Sequence, residues 1–135
     1  MSYLSKHKLE NLRFKNYFLD RKELNKAINK FDLLAFCLKE NFSVIASMPT
    51  KIGESLACGV PIVCNAFNED IESIINKETV GEIYNFVDPF TRNRYQQLLK
   101  KIKSKNISKI CNDFSKKEFS LDSGTIAYKK IYEEL

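Results

Sequence analysis

Lys51, Glu54 and Ser55 stand at i, i+3 and i+4 within the stretch Ala46-Ser-Met-Pro-Thr-Lys-Ile-Gly-Glu-Ser-Leu-Ala-Cys-Gly-Val-Pro-Ile-Val63. On a helix those positions are neighbours on one face, and Ile52 and Leu56 fall on the opposite stripe, toward a core. A cation and a carboxylate are thus expected side by side near a helix start. Such a start also offers backbone N–H groups without intrahelical acceptors, a ready seat for an anion. The same residues equally suit an exposed Lys–Glu pair whose acidic member favours the positive end of the helix.

The punctuation of the stretch tells how these side chains are positioned. Ser47 is a candidate N-cap, and Pro49 falls in the first turn, where its missing N–H costs nothing. Gly59 supplies a left-handed residue to stop the helix, and Pro61 prevents its restart. The reading is loop, short helix, tight stop and buried strand.

Similar units lie on both sides. Leu12–Phe18 suits a strand with Phe14 inward. Asp20 and Glu23 have the spacing of a capping box, and Leu24, Ala27 and Ile28 predict a helix over Arg21–Lys30. The unbroken apolar run Leu33–Leu38 predicts a strand buried on both faces. A loop, Lys39–Ser47, carries Phe42, Val44 and Ile45, which either anchor in the core or line a cleft. Val60–Asn65 is a second buried strand, Asp70–Lys77 a helix with Ile71, Ile74 and Ile75 on one face, and Gly81–Phe86 a further strand. Helices are expected over Phe90–Lys103, Ile107–Lys117 and Gly124–Leu135. Strands alternating with helices at this spacing predict an α/β fold with a parallel sheet flanked by helices. Ligands in such sheets sit at the carboxyl ends of the strands.

With 135 residues, 44% hydrophobic, the chain has enough apolar surface for one ordinary domain and is not a disordered segment. Lys and Arg outnumber Asp and Glu by 22 to 17, a net charge of +5. That balance suits a phosphate-bearing ligand or an anionic membrane surface, and equally ordinary solubilising charge. No run of roughly 18 apolar residues is present, which excludes a membrane-spanning helix. Cys37, Cys58, Cys64 and Cys111 form no Cys-x-x-Cys pair and His7 is the only histidine, which argues against zinc. Cys37, Cys58 and Cys64 read as small buried hydrophobes. Scattered thiols favour a reducing, cytoplasmic setting.

The segment Ser47–Val63 resembles the donor-binding stretch of GT-B glycosyltransferases of the large family-4 retaining type. Their pattern is Glu-x7-Glu followed by Ala-x-Gly-x-Pro-Val-Ile, here Ala57-Cys-Gly-Val-Pro-Ile-Val63, with the variant Ser-x-Pro-x-Lys-x-x-Glu at Ser47, Pro49, Lys51 and Glu54. The resemblance extends over Leu12–Phe86, with Asp32 and Leu33–Leu38 matching the element before the motif. It implies a Rossmann-like sheet belonging to the C-terminal, nucleotide-sugar-binding domain, of which the chain is a partial piece lacking the domain's first half and the N-terminal acceptor domain. It implies a hexosyltransferase-type parent enzyme that moves a sugar from a nucleoside-diphosphate donor to a glycan or lipid-linked acceptor. Bacterial surface polysaccharide synthesis (O-antigen, lipopolysaccharide or capsule) is the implied setting, with the fragment alone inactive.

The resemblance places the donor at Ser47, Met48, Pro49, Thr50, Lys51 and Glu54. Glu54 takes the ribose, and the loop before it contributes backbone amides to the diphosphate. Chemistry agrees, because a carboxylate accepts two hydroxyl hydrogens and a ribose diol supplies them. No catalytic residue, metal or cofactor is implied, since the nucleotide-sugar is itself the substrate. The pattern's first Glu falls at Ala46, and its Gly-rich loop is here Asn65-Ala-Phe-Asn-Glu69, so the sugar stays open. Partners beyond the donor are the acceptor, the missing domain and an anionic membrane at the inner face of the cell membrane. The final helix is expected to expose an apolar face that covers the missing domain. Two other classes are weighed. One is a non-catalytic flavodoxin-like module, which needs an acid after the central strand, whereas Asp32 comes before its strand. The other is a nucleic-acid binder using Lys100, Lys101, Lys103, Lys105, Lys109, Lys116 and Lys117, where interleaved aromatics are sparse.

Overall fold

Three short strands carry the architecture. The computed structural model describes residues 13, 15–39, 41–45, 47–65, 68–84, 92–104 and 106–134. Helix α1 (Arg21–Ile28) precedes β1 (Leu34–Phe36). A single helical turn, α2 (Phe42–Ile45), and helix α3 (Thr50–Ala57) lead to β2 (Ile62–Cys64). Helix α4 (Glu69–Glu78) leads to β3 (Gly81–Ile83), and α5 (Arg92–Ile102), α6 (Ile107–Glu118) and α7 (Leu121–Glu133) follow. The sheet is parallel in the order β1-β2-β3, with Leu34 opposite Ile62, Phe36 opposite Cys64, and Cys64 opposite Ile83. The α/β class and the parallel, helix-flanked sheet are as the alternating pattern predicts. Expectations for Met1–Glu10, Phe14, Ala46 and the termini at Phe86 and Phe90 lie outside the described residues.

The core is where the periodicities converge. Ile52 and Leu56 of α3, Ile71 and Ile75 of α4, and Ile62 and Cys64 of β2 are fully buried. They meet Ile107, Cys111 and Phe114 of α6 in one cluster. Each large apolar side chain so buried contributes about 1.5–3 kcal/mol. Gly81 pairs with Ile62, and a Cβ there would run into the Ile62 carbonyl oxygen. Only glycine keeps that register.

Several expectations are corrected. The described part of Leu12–Phe18 forms no strand: residues 15–18 have no sheet partner, and Tyr17 and Phe18 are exposed. Apolar alternation without a neighbouring ladder does not make a strand. Strand β1 is covered on one face only, because Leu34 and Phe36 are half-buried while Ala35 is exposed. Cys37 is exposed for the same reason, Cys58 is half-buried, and Cys64 alone of the three is buried as expected. The Asp20–Glu23 box is not formed. Asp20 occupies the N-cap without a side-chain bond, and the Glu23 N–H donates to its backbone oxygen at 2.9 Å. Phe42 and Ile45 are exposed and anchor nothing in the core.

Helix α7 buries none of its residues and leaves Leu121, Ile126, Tyr128, Ile131 and Tyr132 exposed. This is the apolar face expected of the last helix. Among the described residues, no helix is long and apolar enough to cross a membrane. The lysine row is partly committed elsewhere. Lys101 donates to the Gly81 carbonyl and pairs with Glu82, and Lys117 pairs with Glu118.

Candidate functional site

Helix α3 starts two residues later than a Ser47 cap implies. Pro49 is the N-cap residue, in extended conformation and without a side-chain cap. Ser47 lies before the cap position, and its carbonyl accepts the Asn68 Nδ2 at 3.0 Å. The Ile52 N–H donates to the Pro49 carbonyl at 3.0 Å. The earlier N–H groups of Thr50 and Lys51 have no intrahelical acceptor by helix geometry. They sit at the carboxyl edge of the sheet, because a helix joining two parallel strands begins at the end of the first.

The far end of α3 is a Schellman motif. Gly59, at φ +73°, donates to Leu56 O at 2.9 Å, and Val60 donates back to Ser55 O at 2.9 Å. Ser55 closes the bracket from its side chain, with Oγ donating to Val60 O at 2.9 Å. Ser55 is therefore fully buried and does not share the solvent-facing side of Lys51 and Glu54. Its position at i+4 from Lys51 lies where the helix surface already turns inward.

A cleft of about 680 Å³ runs along the outer side of α3. Met48, Pro49 and Thr50 line it at the start of α3, and Gly53, Glu54, Ala57 and Cys58 line it further along the helix. Asn25 and Asn29 of α1 make one wall, and Ser115 and Phe119 at the end of α6 make the other. Four of the six expected donor residues, Met48, Pro49, Thr50 and Glu54, are brought together here. Ser47 and Lys51 are exposed and outside the lining. Glu54 is half-buried. Burial first, and the Glu54 carboxylate second, push the Cys58 thiol above its ordinary value. Cys58 stays a neutral thiol beside the carboxylate, with Sγ 3.9 Å from Asn25 O.

Two asparagines brace the sheet edge beside the cleft. Asn65 accepts the Leu38 N–H at 2.9 Å and donates to the Leu38 carbonyl at 2.8 Å, a side-chain continuation of the β1–β2 ladder. Asn68 caps α4 by accepting the Ile71 N–H at 2.8 Å while it holds Ser47 O. Of the expected loop Asn65–Glu69, the described Asn65 and Asn68 are thus held by their side-chain amides.

Sequence reasoning missed Asn25, Asn29 and Phe119. The two asparagines were visible only as one turn of spacing on the polar face of α1. Phe119 carried no local signal, because its contact with Gly53, where a Cβ would meet the ring at 3.6 Å, is tertiary. Among the described residues, no group of three His, Cys, Asp or Glu stands together to hold a metal. The chain matches no protein-family model, no curated protein and no solved structure.

Proposed function

We propose that the chain is the donor-side part of a sugar-transferring enzyme of the GT-B kind, and that the cleft along α3 holds a nucleoside-diphosphate sugar. The observation that carries this reading is Glu54. It stands half-buried in the lining of a cleft that also takes in Pro49 and Thr50 at the start of α3, within the segment that resembles the donor motif. Its two oxygens suit the two hydroxyls of a ribose. The α3 N-terminus suits a diphosphate whose negative charge grows as the bond to the sugar breaks. The acceptor, the bacterial polysaccharide setting, the cytoplasmic location and the missing domain belong to the same proposal and rest on the resemblance. The flavodoxin-like alternative gains no support: Asp32 is exposed and precedes β1, at the amino edge.

Calorimetric titration with uridine and guanosine diphosphates tests the reading. Hydrogen bonds to a charged group contribute about 1.5–3 kcal/mol each, so Glu54→Ala and Glu54→Gln are expected to weaken binding at least about tenfold. Unchanged affinity in both variants rejects the assignment.

A further inference from the structure

We infer that the exposed face of α7 is the contact for a second copy of this chain, paired antiparallel along the seam Leu121, Gly124, Tyr128 and Ile131. The inference goes beyond the nucleotide reading and does not depend on it. Helix α7 is tied to the rest of the fold at its start. Ser120 caps it by accepting the Ser123 N–H at 3.1 Å, and Ser123 Oγ donates to Lys117 O at 2.6 Å. From Thr125 to Glu134 every residue is exposed. Leu121 is 85% exposed, Tyr128 68%, Ile131 56% and Tyr132 75%. A standard interface takes about 800 Å² from each partner, and these four side chains supply on the order of 600 Å² of it. Packing of an apolar face is what holds a helix of this length in place.

The residues of the seam select a copy of the chain as the occupant. Leu121, Gly124, Tyr128 and Ile131 stand at i, i+3, i+7 and i+10, on one side of the helix. Their spacing is the same read in either direction. Turned end for end about the level of Ile126, α7 sets Leu121 against the partner's Ile131 and Gly124 against the partner's Tyr128. Each contact then occurs twice, as a two-fold interface requires. The shapes agree. Gly124 borders a groove of about 760 Å³ together with Leu121, Thr125 and Tyr128, and a Cβ on Gly124 would meet nothing within 4 Å. That opening takes the partner's Tyr128 ring as a knob takes a hole. Charge agrees as well. Asp122 and Lys129, at i and i+7, share one flank of the seam, and the antiparallel turn brings each Lys129 beside the partner's Asp122. The exposed Lys129–Glu133 pair, 3.7 Å apart, is a weak competitor. Within α7, Asp122 and Glu133 balance Lys129 and Lys130, so an anionic membrane gains no net attraction. Because the tie to α6 lies at one end of α7, antiparallel pairing sets the two cores at opposite ends of the pair. The apolar face expected to cover another domain is thus closed by a like helix.

Sedimentation velocity of the 135-residue chain over a rising concentration series tests the contact, and urea midpoints check the fold of each variant. The unaltered chain is expected to pass from monomer to dimer. Leu121→Glu puts an acid in the first turn, which suits the helix. Gly124→Leu raises helix propensity and fills the groove. Both are expected to weaken the dimer at least tenfold. Ile126→Glu lies off the seam, at a residue 69% exposed, and is expected to leave the dimer unchanged. Asp122→Lys is expected to weaken it, and the Asp122→Lys, Lys129→Asp double variant to restore it. A monomer at every concentration overturns the inference, as does association beyond a dimer. Equal losses in Leu121→Glu and Ile126→Glu overturn it too, because an unspecific apolar surface behaves that way. Full dimerisation in Gly124→Leu, or no recovery in the double variant, overturns the antiparallel seam.

Discussion

Gly59→Ala tests the joint that sets α3 against α6, and so the width of the cleft between them. Two costs are separable. A residue bearing Cβ at φ +73° pays about 1–2 kcal/mol for the left-handed conformation. The new methyl would also overlap Ser108 Oγ and stand 3.1 Å from the Ser108 carbonyl oxygen and 3.3 Å from its Cβ. Ser108 is exposed, so its hydroxyl can rotate away, but the carbonyl and Cβ yield only if the start of α6 shifts. Overpacking of that kind costs about 1–3 kcal/mol. The sum is about 2–5 kcal/mol, read as a lower urea midpoint with unchanged slope. The Gly59→Ala, Ser108→Ala double variant removes the hydroxyl only and is expected to recover part of the loss, with the φ cost remaining. A Gly59→Ala midpoint equal to that of the unaltered chain refutes the reasoning. Full recovery in the double variant refutes the conformational part alone.

Ser55→Ala removes the Oγ hydrogen bond to the carbonyl of buried Val60. Leaving a buried acceptor unpaired costs about 1–3 kcal/mol, measurable in the same denaturation series, and a wild-type midpoint contradicts the bracket role. Alkaline pH is expected to destabilise the fold through its buried thiols. Burial, with smaller contributions from Cys37 and Glu72, pushes Cys64 up to about 12, and burial pushes Cys111 up to about 11, from an ordinary value of 9.0. Both folded values lie above the unfolded one, so the unfolded chain sheds protons first. The thiol contribution is fully present below pH 9 and is lost as pH rises toward 11–12. The slope is about 1.4 kcal/mol per pH unit for each thiol. Stability measured against pH under reducing conditions is expected to fall less steeply in Cys64→Ala, Cys111→Ala. An identical slope in that variant contradicts the assignment.

What was legible in the sequence is local. Gly59 and Pro61 announce the stop of α3 because a positive φ and a missing donor act within a turn. Ile52 and Leu56 mark the buried stripe because helical periodicity needs no tertiary knowledge. The failures are those of context. Asp20 and Glu23 have the right spacing, but the box also requires a side-chain geometry that the Asp20 N-cap does not adopt. Leu33–Leu38 is apolar throughout, yet β1 leaves Ala35 and Cys37 exposed, since burial on a second face depends on what packs there. Thr79 ends α4 at φ 55°, a left-handed position no β-branched residue advertises. The candidate cleft divides in the same way. Its floor comes from one segment and was readable, whereas its walls come from α1 and α6, which meet α3 only through the fold.

The charge around α3 gives the proposed ligand a direction. An α-helix N-terminus is equivalent to roughly +0.5 of a charge, and Lys51 adds a full positive charge in the first turn, outside the cleft. Arg94 is held over the Tyr84 ring, 5.1 Å from its centroid, just beyond the carboxyl end of β3. Adjacent strands lie about 4.8 Å apart, so this second cation belongs to the same edge of the sheet. The same edge also carries Glu69, Asp70 and Glu72 in the first turn of α4, so the positive charge is local to the start of α3. The cleft supplies the opposite, because its one charged lining residue is Glu54. A ligand entering phosphate-first would desolvate its anion against that carboxylate and lose the helix terminus. With its phosphates at the start of α3, the ligand gives Glu54 hydroxyls to bind.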